Sequence, residues 1–416
     1  MYKATILSFL FISIFYNQSK AQEKPGYFMH PDLHENTMVF VAEGDIWTAP
    51  VSGGMATRLT THPGDESDPK ISPDGKWVAY AASYEGPTEV YVMPISGGLP
   101  KRLTYEPSAS IPVAWRSATE LAYTTNQYST LPRLRTVVMD VNFRIKEVLP
   151  LEMAAEGSFD RESNTYFFVR PTYHNNVTKR YQGGTARQLW KYSNGAAEAV
   201  KLTKDYAGED HHPIFHQGRV YFISSRDGIQ NVWSMKPDGS DIQQHTKEVS
   251  YDVREYSLSG NTLVYRSGAD LFQMNLGQSE SRKIAINLVS DFDQLRENWV
   301  DNPASYITNI SVSNNGEKVA LTARGRVFVF PAKDGRMIRL SRKDGVRYRD
   351  AVFTTDSKDI LTFSDESGEF EIHQYSGLGL DQGKQLTDNG TTLRFNLTPS
   401  PDGKWLAWID LNNDLW

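Results

Sequence analysis

The sequence predicts an all-β protein: a six-bladed β-propeller followed by the incomplete start of a second propeller. Three observations lead there. Ser72–Trp77 (SPDGKW) recurs letter for letter at Ser400–Trp405. Ser52-Gly-Gly54 recurs at Ser96-Gly-Gly98, and Arg58-Leu-Thr60 at Arg102-Leu-Thr104, both at an offset of 44 residues. A fixed period of about 40–45 residues marks one four-stranded blade per repeat. A β-sandwich with regular hairpins does not account for an identical register at that spacing.

The reference unit runs from Ser72 to Thr104. Pro73-Asp74-Gly75 closes a tight hairpin, because Pro presets φ and Gly accepts φ > 0. Trp77–Ala81 is apolar on both faces, as befits a strand packed between neighbouring sheets. Glu89–Met93 is the next strand, Gly97-Gly98 the turn, and Lys101–Thr104 a shorter outer strand. Taken in order, blade 1 spans about Gly26 to Thr60, with middle strands Thr37–Ala42 and Asp45–Trp47. Blade 2 is the reference unit, from about Ser67. Blade 3, about Ile111 to Pro150, reads as degenerate: strands at Glu120–Tyr123 and Leu134–Asp140 remain, but the Gly-Gly turn is gone. Blade 4, about Gly157 to Thr203, holds an insertion, Pro171 to Arg187, and long loops in short-hairpin repeats are where function concentrates. Blades 5 and 6 are regular, through Asn231–Met235 and Asp270–Met274 to Ile286.

The domain organisation follows. Residues 22–286 form the six-bladed propeller and 287–305, charged and irregular, a linker. Residues 306–416 are the first blades of a second propeller, broken off at Asp414-Leu-Trp416, which matches the opening of a third strand at Asp45-Ile-Trp47. A sheet stopped there has unpaired edges, so the chain reads as the front of a longer protein. Residues 1–21 form a signal peptide: Lys3, the apolar run Ala4–Tyr16, and Ser19-Lys-Ala21 as the cleavage site. The mature chain is expected outside the cytoplasm, periplasmic or secreted, with no membrane segment left after cleavage. Its formal charge goes from −6 to −8 with the loss of Lys3 and Lys20.

Composition narrows the chemistry. No basic stripe interrupts the acidic balance, so no nucleic-acid partner is expected. There is no Cys, which excludes disulfides, thiolate metal sites and a Cys nucleophile. No GxSxG elbow is present, and His34-Glu35 lacks the second His of HExxH. Gly377–Gly383 misses GxGxxG by one residue and reads as a turn. His211-His212-Pro213 has no third metal ligand and reads as part of an entry strand. Asp74, Asp238 and Asp402 recur in turns and are turn residues. No cofactor, metal or catalytic residue is assigned.

The chain resembles the N-terminal part of the tricorn proteases. Three stretches bear the likeness: Pro31–His34 with Met38–Val41 and Gly44–Trp47; Tyr181-Gln-Gly-Gly-Thr185 with Leu189-Trp190; and Arg219–Ile223 through Asp227-Gly228 to Lys236–Gly239 and His245-Thr246. The likeness covers about 26 to 416. The SPDGKW turns are shared with TolB-type and peptidase-associated propellers; the blade 4 insertion is the specific element.

The resemblance implies a six-bladed propeller, a seven-bladed one, then a catalytic half with a PDZ-like domain. It implies a serine peptidase that trims oligopeptides, assembles as a homohexamer and uses its propellers as size-filtering channels. The catalytic residues then lie beyond residue 416. In the family a basic pair after blade 2 is associated with holding the peptide carboxylate, but Tyr105–Pro112 has no basic residue. The nearest candidates are Lys101, Arg102 and Arg116, each equally readable as a strand-end residue. The insertion supplies a candidate functional loop: Arg180, Tyr181, Gln182, Gly183, Gly184 and Thr185. Two other readings stay open, a TolB-type exported propeller that binds a protein partner and a propeller fused to another hydrolase.

Overall fold

The computed structural model describes residues 27–171, 181–292, 296–297, 299–340, 343–379 and 381–416; the expected signal peptide lies outside them. The chain divides between Arg296 and Glu297 into two compact units. In the first, six sheets follow one another, each made of four consecutive antiparallel strands. Their first strands are innermost: Met29–His34, Glu66–Ile71, Ser110–Trp115, Ala155–Asp160, Asp210–His216 and Val253–Ser259. In blades 2 to 6 the fourth strands, such as Lys101–Arg102 and Val200–Lys201, are short and outermost. The second unit holds two sheets of the same build, Ile307–Val312 to Ile338–Arg339 and Tyr348–Phe353 to Lys384–Gln385, and a strand pair, Arg394–Pro399 with Leu406–Asp410.

The period of two along each second strand explains how the blades stack. On Thr37–Ala42, Met38, Phe40 and Ala42 pack against Val264, Leu271 and Ile284 of blade 6, while Val39 and Val41 pack against Val78, Tyr80 and Met93 of blade 2. In the first unit every such strand is buried on both faces, which is why it reads as a continuous apolar run. The remaining interfaces, blades 2–3, 3–4, 4–5 and 5–6, each have their own cluster. Six interfaces for six blades make a closed ring.

Closure relies on blade 6 meeting blade 1. Phe28 N donates to Ala269 O (3.0 Å) and Gly54 N to Ala285 O (2.8 Å). Beyond that contact, Ile286–Leu288 pairs in parallel with Gly54–Ala56 as a fifth strand on the outside of blade 1. Asn287 and Leu288, expected in a linker, are therefore strand, and Pro303–Tyr306 forms a 3-10 helix. Elements of three or four residues have no periodicity to read, which is why they look irregular in sequence.

The repeated Arg-Leu-Thr is a fastening device. Thr60 and Thr104 hydroxyls accept the amides of Ile46 (2.8 Å) and Val90 (2.9 Å), capping the start of the third strand. Arg58 and Arg102 pair with Asp45 and Glu89 at that same strand start. Thr203 and Thr246 repeat the contact to Leu189 and Val232 (3.1 and 2.8 Å). Blade 3 is not degenerate in structure. It has all four strands, ending in Lys146–Val148. Its Gly-Gly turn is replaced by an Asp140 carboxylate that accepts the amides of Asn142 (2.9 Å) and Phe143 (2.8 Å).

Between blades 1 and 2, Glu66 is buried with Asp45. It accepts hydrogen bonds from Tyr84 Oη (2.6 Å) and Thr60 Oγ1 (2.9 Å). Burial pushes its carboxyl from 4.5 up to about 7. The folded state then binds more protons than the unfolded chain between those values, so stability falls as pH rises from 4.5 through 7. Glu66→Gln should remove that fall. In urea denaturation across this range it gains about 2 kcal/mol on the wild type, allowing for solvent screening; parallel pH curves for the two proteins contradict this.

Candidate functional site

The inner strands do not run straight. Register shifts between Met29 and Asp32, Ser67 and Lys70, Ala155 and Gly157, and His211 and Ile214 mark a β-bulge in each. The bulged residues His30, Asp68, Glu156 and His212 have φ of 49°, 51°, 40° and 56°. Each is followed by Pro31, Pro69, Gly157 or Pro213. Proline has no N–H to give a ladder, so a bulge is where a strand tolerates it. The left-handed backbone costs about 1 kcal/mol or more per residue, and such strain concentrates at functional positions.

The bulges join neighbouring blades around the axis. The His30 amide donates to Glu255 Oε2 (2.9 Å) and the His212 amide to Glu156 Oε2 (2.7 Å). Three residues on, Leu33 N donates to Ser257 Oγ (3.0 Å), Phe215 N to Ser158 Oγ (2.7 Å), and Ile71 N to Asp32 Oδ2 (2.7 Å). These strands enclose an axial cavity of about 590 Å³. Asp32, Asp68, Lys70, Glu156, His212 and Ser257 are among the residues that face it.

Its charges are mixed and mostly paired. His30 Nδ1 lies 3.1 Å from Asp68 and 3.7 Å from Glu255. Burial works against the charge on His30, but the two carboxylates outweigh it and raise the imidazole above its ordinary value. Burial also works against the Asp68 charge, and His30 holds that carboxyl well below the usual range. Burial lowers His212 and, strongly, His211, so both favour the neutral form. In the wall beside them Arg187 bonds Glu209 (3.1 Å) and Glu156 (3.3 Å), Arg187 and Glu209 each 3% exposed. A ring of this kind can hold an extended polar chain by hydrogen bonds and charge.

The residues anticipated for a peptide carboxylate sit elsewhere. Lys101 Nζ donates to Val141 O (2.7 Å). Arg102 pairs with Glu85 (2.8 Å) and Glu89 and lies over the Tyr105 ring (4.4 Å). Arg116 pairs with Glu120 and Glu147, both 2.7 Å. None of the three lines the axial cavity. Of the anticipated loop, Arg180 lies outside the described residues. Tyr181 Oη accepts from Thr185 Oγ1 (2.9 Å), and Gly183 N donates to Ala207 O (3.2 Å). The loop thus braces the segment that delivers Arg187 to the cavity wall. Gln182 lies in the same braced turn and is exposed.

Sequence reasoning missed the bulge residues. Their signal was the recurrence of a charged or histidine residue before Pro or Gly on four of the six inner strands. Among the described residues no group of His, Asp or Glu is arranged to hold a metal. A serine–histidine contact does occur, Ser234 Oγ to His245 Nε2 at 2.8 Å. Ser234 is fully buried, and Arg219 Nε donates to the same oxygen (2.9 Å), so it is a structural contact.

Residues 25–280, more than half of the chain, match the family model of the tricorn protease N-terminal beta propeller domain. The chain belongs to the tricorn protease family. A tricorn protease homolog of Saccharolobus solfataricus is 27% identical over 395 residues, covering 94% of this chain and 36% of the relative. Tricorn protease homolog 1 of Streptomyces coelicolor is 28% identical over 392 residues, covering 92% of this chain and 36% of the relative. The crystal structure of the tricorn protease superposes with a TM-score of 0.64 at 19% identity, over 94% of this chain and 39% of the other. The chain therefore spans little more than a third of the tricorn relatives it matches, and its closed six-bladed ring is the family's N-terminal propeller.

Proposed function

We propose that this chain is the propeller portion of a serine peptidase that degrades oligopeptides, its axial channel passing and size-selecting peptides. The observation that carries this reading is the axial cavity of about 590 Å³ lined by all six inner strands, four of which present charged or ionisable side chains to it. Peptide backbones are extended and polar, and a ring of fixed carboxylates, hydroxyls and imidazoles matches them without a single-sign field that would hold them too tightly. With it go an exported chain, processed after Ala21, and a homo-oligomeric assembly of hexamer type. Chemistry is assigned to sequence outside these 416 residues. The chain alone is expected to hydrolyse no peptide, and turnover that depends on a serine within 22–416 contradicts that.

The absence of Cys makes a direct test simple. Ala114 lines the cavity, so Ala114→Cys places a single thiol in the channel. Iodoacetamide should alkylate it, saturating oligopeptide should slow that reaction several-fold, and a maleimide carried on a folded protein should not reach it. Equal reaction with the protein-borne maleimide, or no protection by peptide, rejects the channel.

A further inference from the structure

We propose that a second cavity, on the rim of blade 4, binds a small carboxylate-bearing molecule with an apolar planar group. It measures about 350 Å³, within the range of small-molecule sites (about 300–1,000 Å³). It lies between the end of the second strand, the Gly183–Gly184 turn and the Lys204–Ala207 segment, and shares no lining residue with the axial channel.

Trp190 provides an apolar surface. Its indole N–H is already given to Arg170 O (3.2 Å), so the ring offers its face and not a donor. Arg170 and Trp190 also meet through side chains, the guanidinium 5.2 Å from the ring centroid. Arg170 Nε is buried and has no hydrogen-bond partner among the described residues. Lys201 is the cross-strand partner of Trp190 and so projects from the same face of the sheet. Lys204 stands on the lip.

Among the described residues no carboxylate pairs with Arg170, Lys201 or Lys204. Arg58, Arg102, Arg116, Arg219 and Arg226, by contrast, all have one. Among the described lining residues Asp205 is the single acid, against these three cations. A guanidinium and ammonium groups beside an aromatic face select an organic anion. The planar carboxylate suits the guanidinium fork, and the attached ring or aliphatic group lies on the indole.

The chain is titrated calorimetrically with hippurate, its neutral amide, and phenyl phosphate. Hippurate should bind saturably and the amide at least about tenfold more weakly, the loss expected for one charge-assisted hydrogen bond. Lys201→Glu should weaken hippurate by about tenfold or more, while Lys247→Glu, an exposed cation elsewhere on the ring, should leave it unchanged. Gly184 has a φ open to any residue and nothing within 4 Å of an added Cβ, so Gly184→Phe should fill the cavity and abolish binding without unfolding the blade. The proposal is overturned by equal affinity for the amide, by an unchanged Lys201→Glu titration, or by no saturation up to about 10 mM, beyond the weak end of specific recognition. Phenyl phosphate binding tenfold tighter than hippurate overturns the carboxylate assignment.

Discussion

Gly53→Ala is expected to destabilise the first unit by about 2 kcal/mol more than Gly97→Ala. The two glycines occupy the same turn in blades 1 and 2 and share φ of +89°. A side chain in that left-handed conformation costs about 1 kcal/mol at either site, so the comparison removes backbone strain. What differs is the surroundings. A Cβ on residue 53 would sit 2.6 Å from Ala285 O, whereas nothing lies within 4 Å at residue 97. Ala285 O accepts the Gly54 amide and precedes the strap Ile286–Leu288. Displacing it loosens the fifth strand of blade 1 and the cluster of Met38, Phe40, Leu271 and Ile284 beneath it. Urea denaturation of both variants measures this, and equal losses mean that the strap contributes nothing to closure.

Arg187→Met should cost about 3–5 kcal/mol, the usual loss when one partner of a buried ion pair is removed. Glu209 is 3% exposed and would be left with its charge in the wall; Glu156 would lose one of its partners. The double variant Arg187→Met/Glu209→Gln should recover half or more of that loss, because it removes the stranded charge along with the cation. Denaturation of the two single variants and the double forms a cycle. Additive losses would show that Arg187 stabilises by packing and not by neutralising Glu209.

Much of the fold was legible because its determinants are local. The hairpin Pro73-Asp74-Gly75 and the doubly apolar strand Trp77–Ala81 declare themselves in a few residues, and an offset of 44 repeats them. Where blade 3 loses Gly-Gly, Asp140 substitutes a carboxylate for a conformation, and a search for glycine overlooks it. The function of Arg-Leu-Thr was not legible, since Thr60 acts on Ile46 fourteen residues away through a backbone amide. Lys101, Arg102 and Arg116 looked available because sequence shows charges without their partners. Those partners, the Val141 carbonyl for Lys101 and Glu85, Glu89, Glu120 and Glu147 for the two arginines, lie on other strands or across a turn. Arg187 left no local trace at all. Its role depends on Glu156 and Glu209, which only the ring brings beside it.

The closure between blade 6 and blade 1 has a kinetic consequence. Each blade is completed by hairpins between neighbours in sequence, so its loops are short and cheap to close. The seam joins residues 225 positions apart, such as His30 and Glu255. Closing a loop of that length instead of one repeat adds about 1.4 kcal/mol of chain entropy, and this is spent once, when the ring shuts. The seam therefore forms after the blades and opens before them. Opening the seam would cost blade 1 its fifth strand, Ile286–Leu288, and leave the four consecutive strands of each blade paired, so a three-residue strap is where the ring is joined.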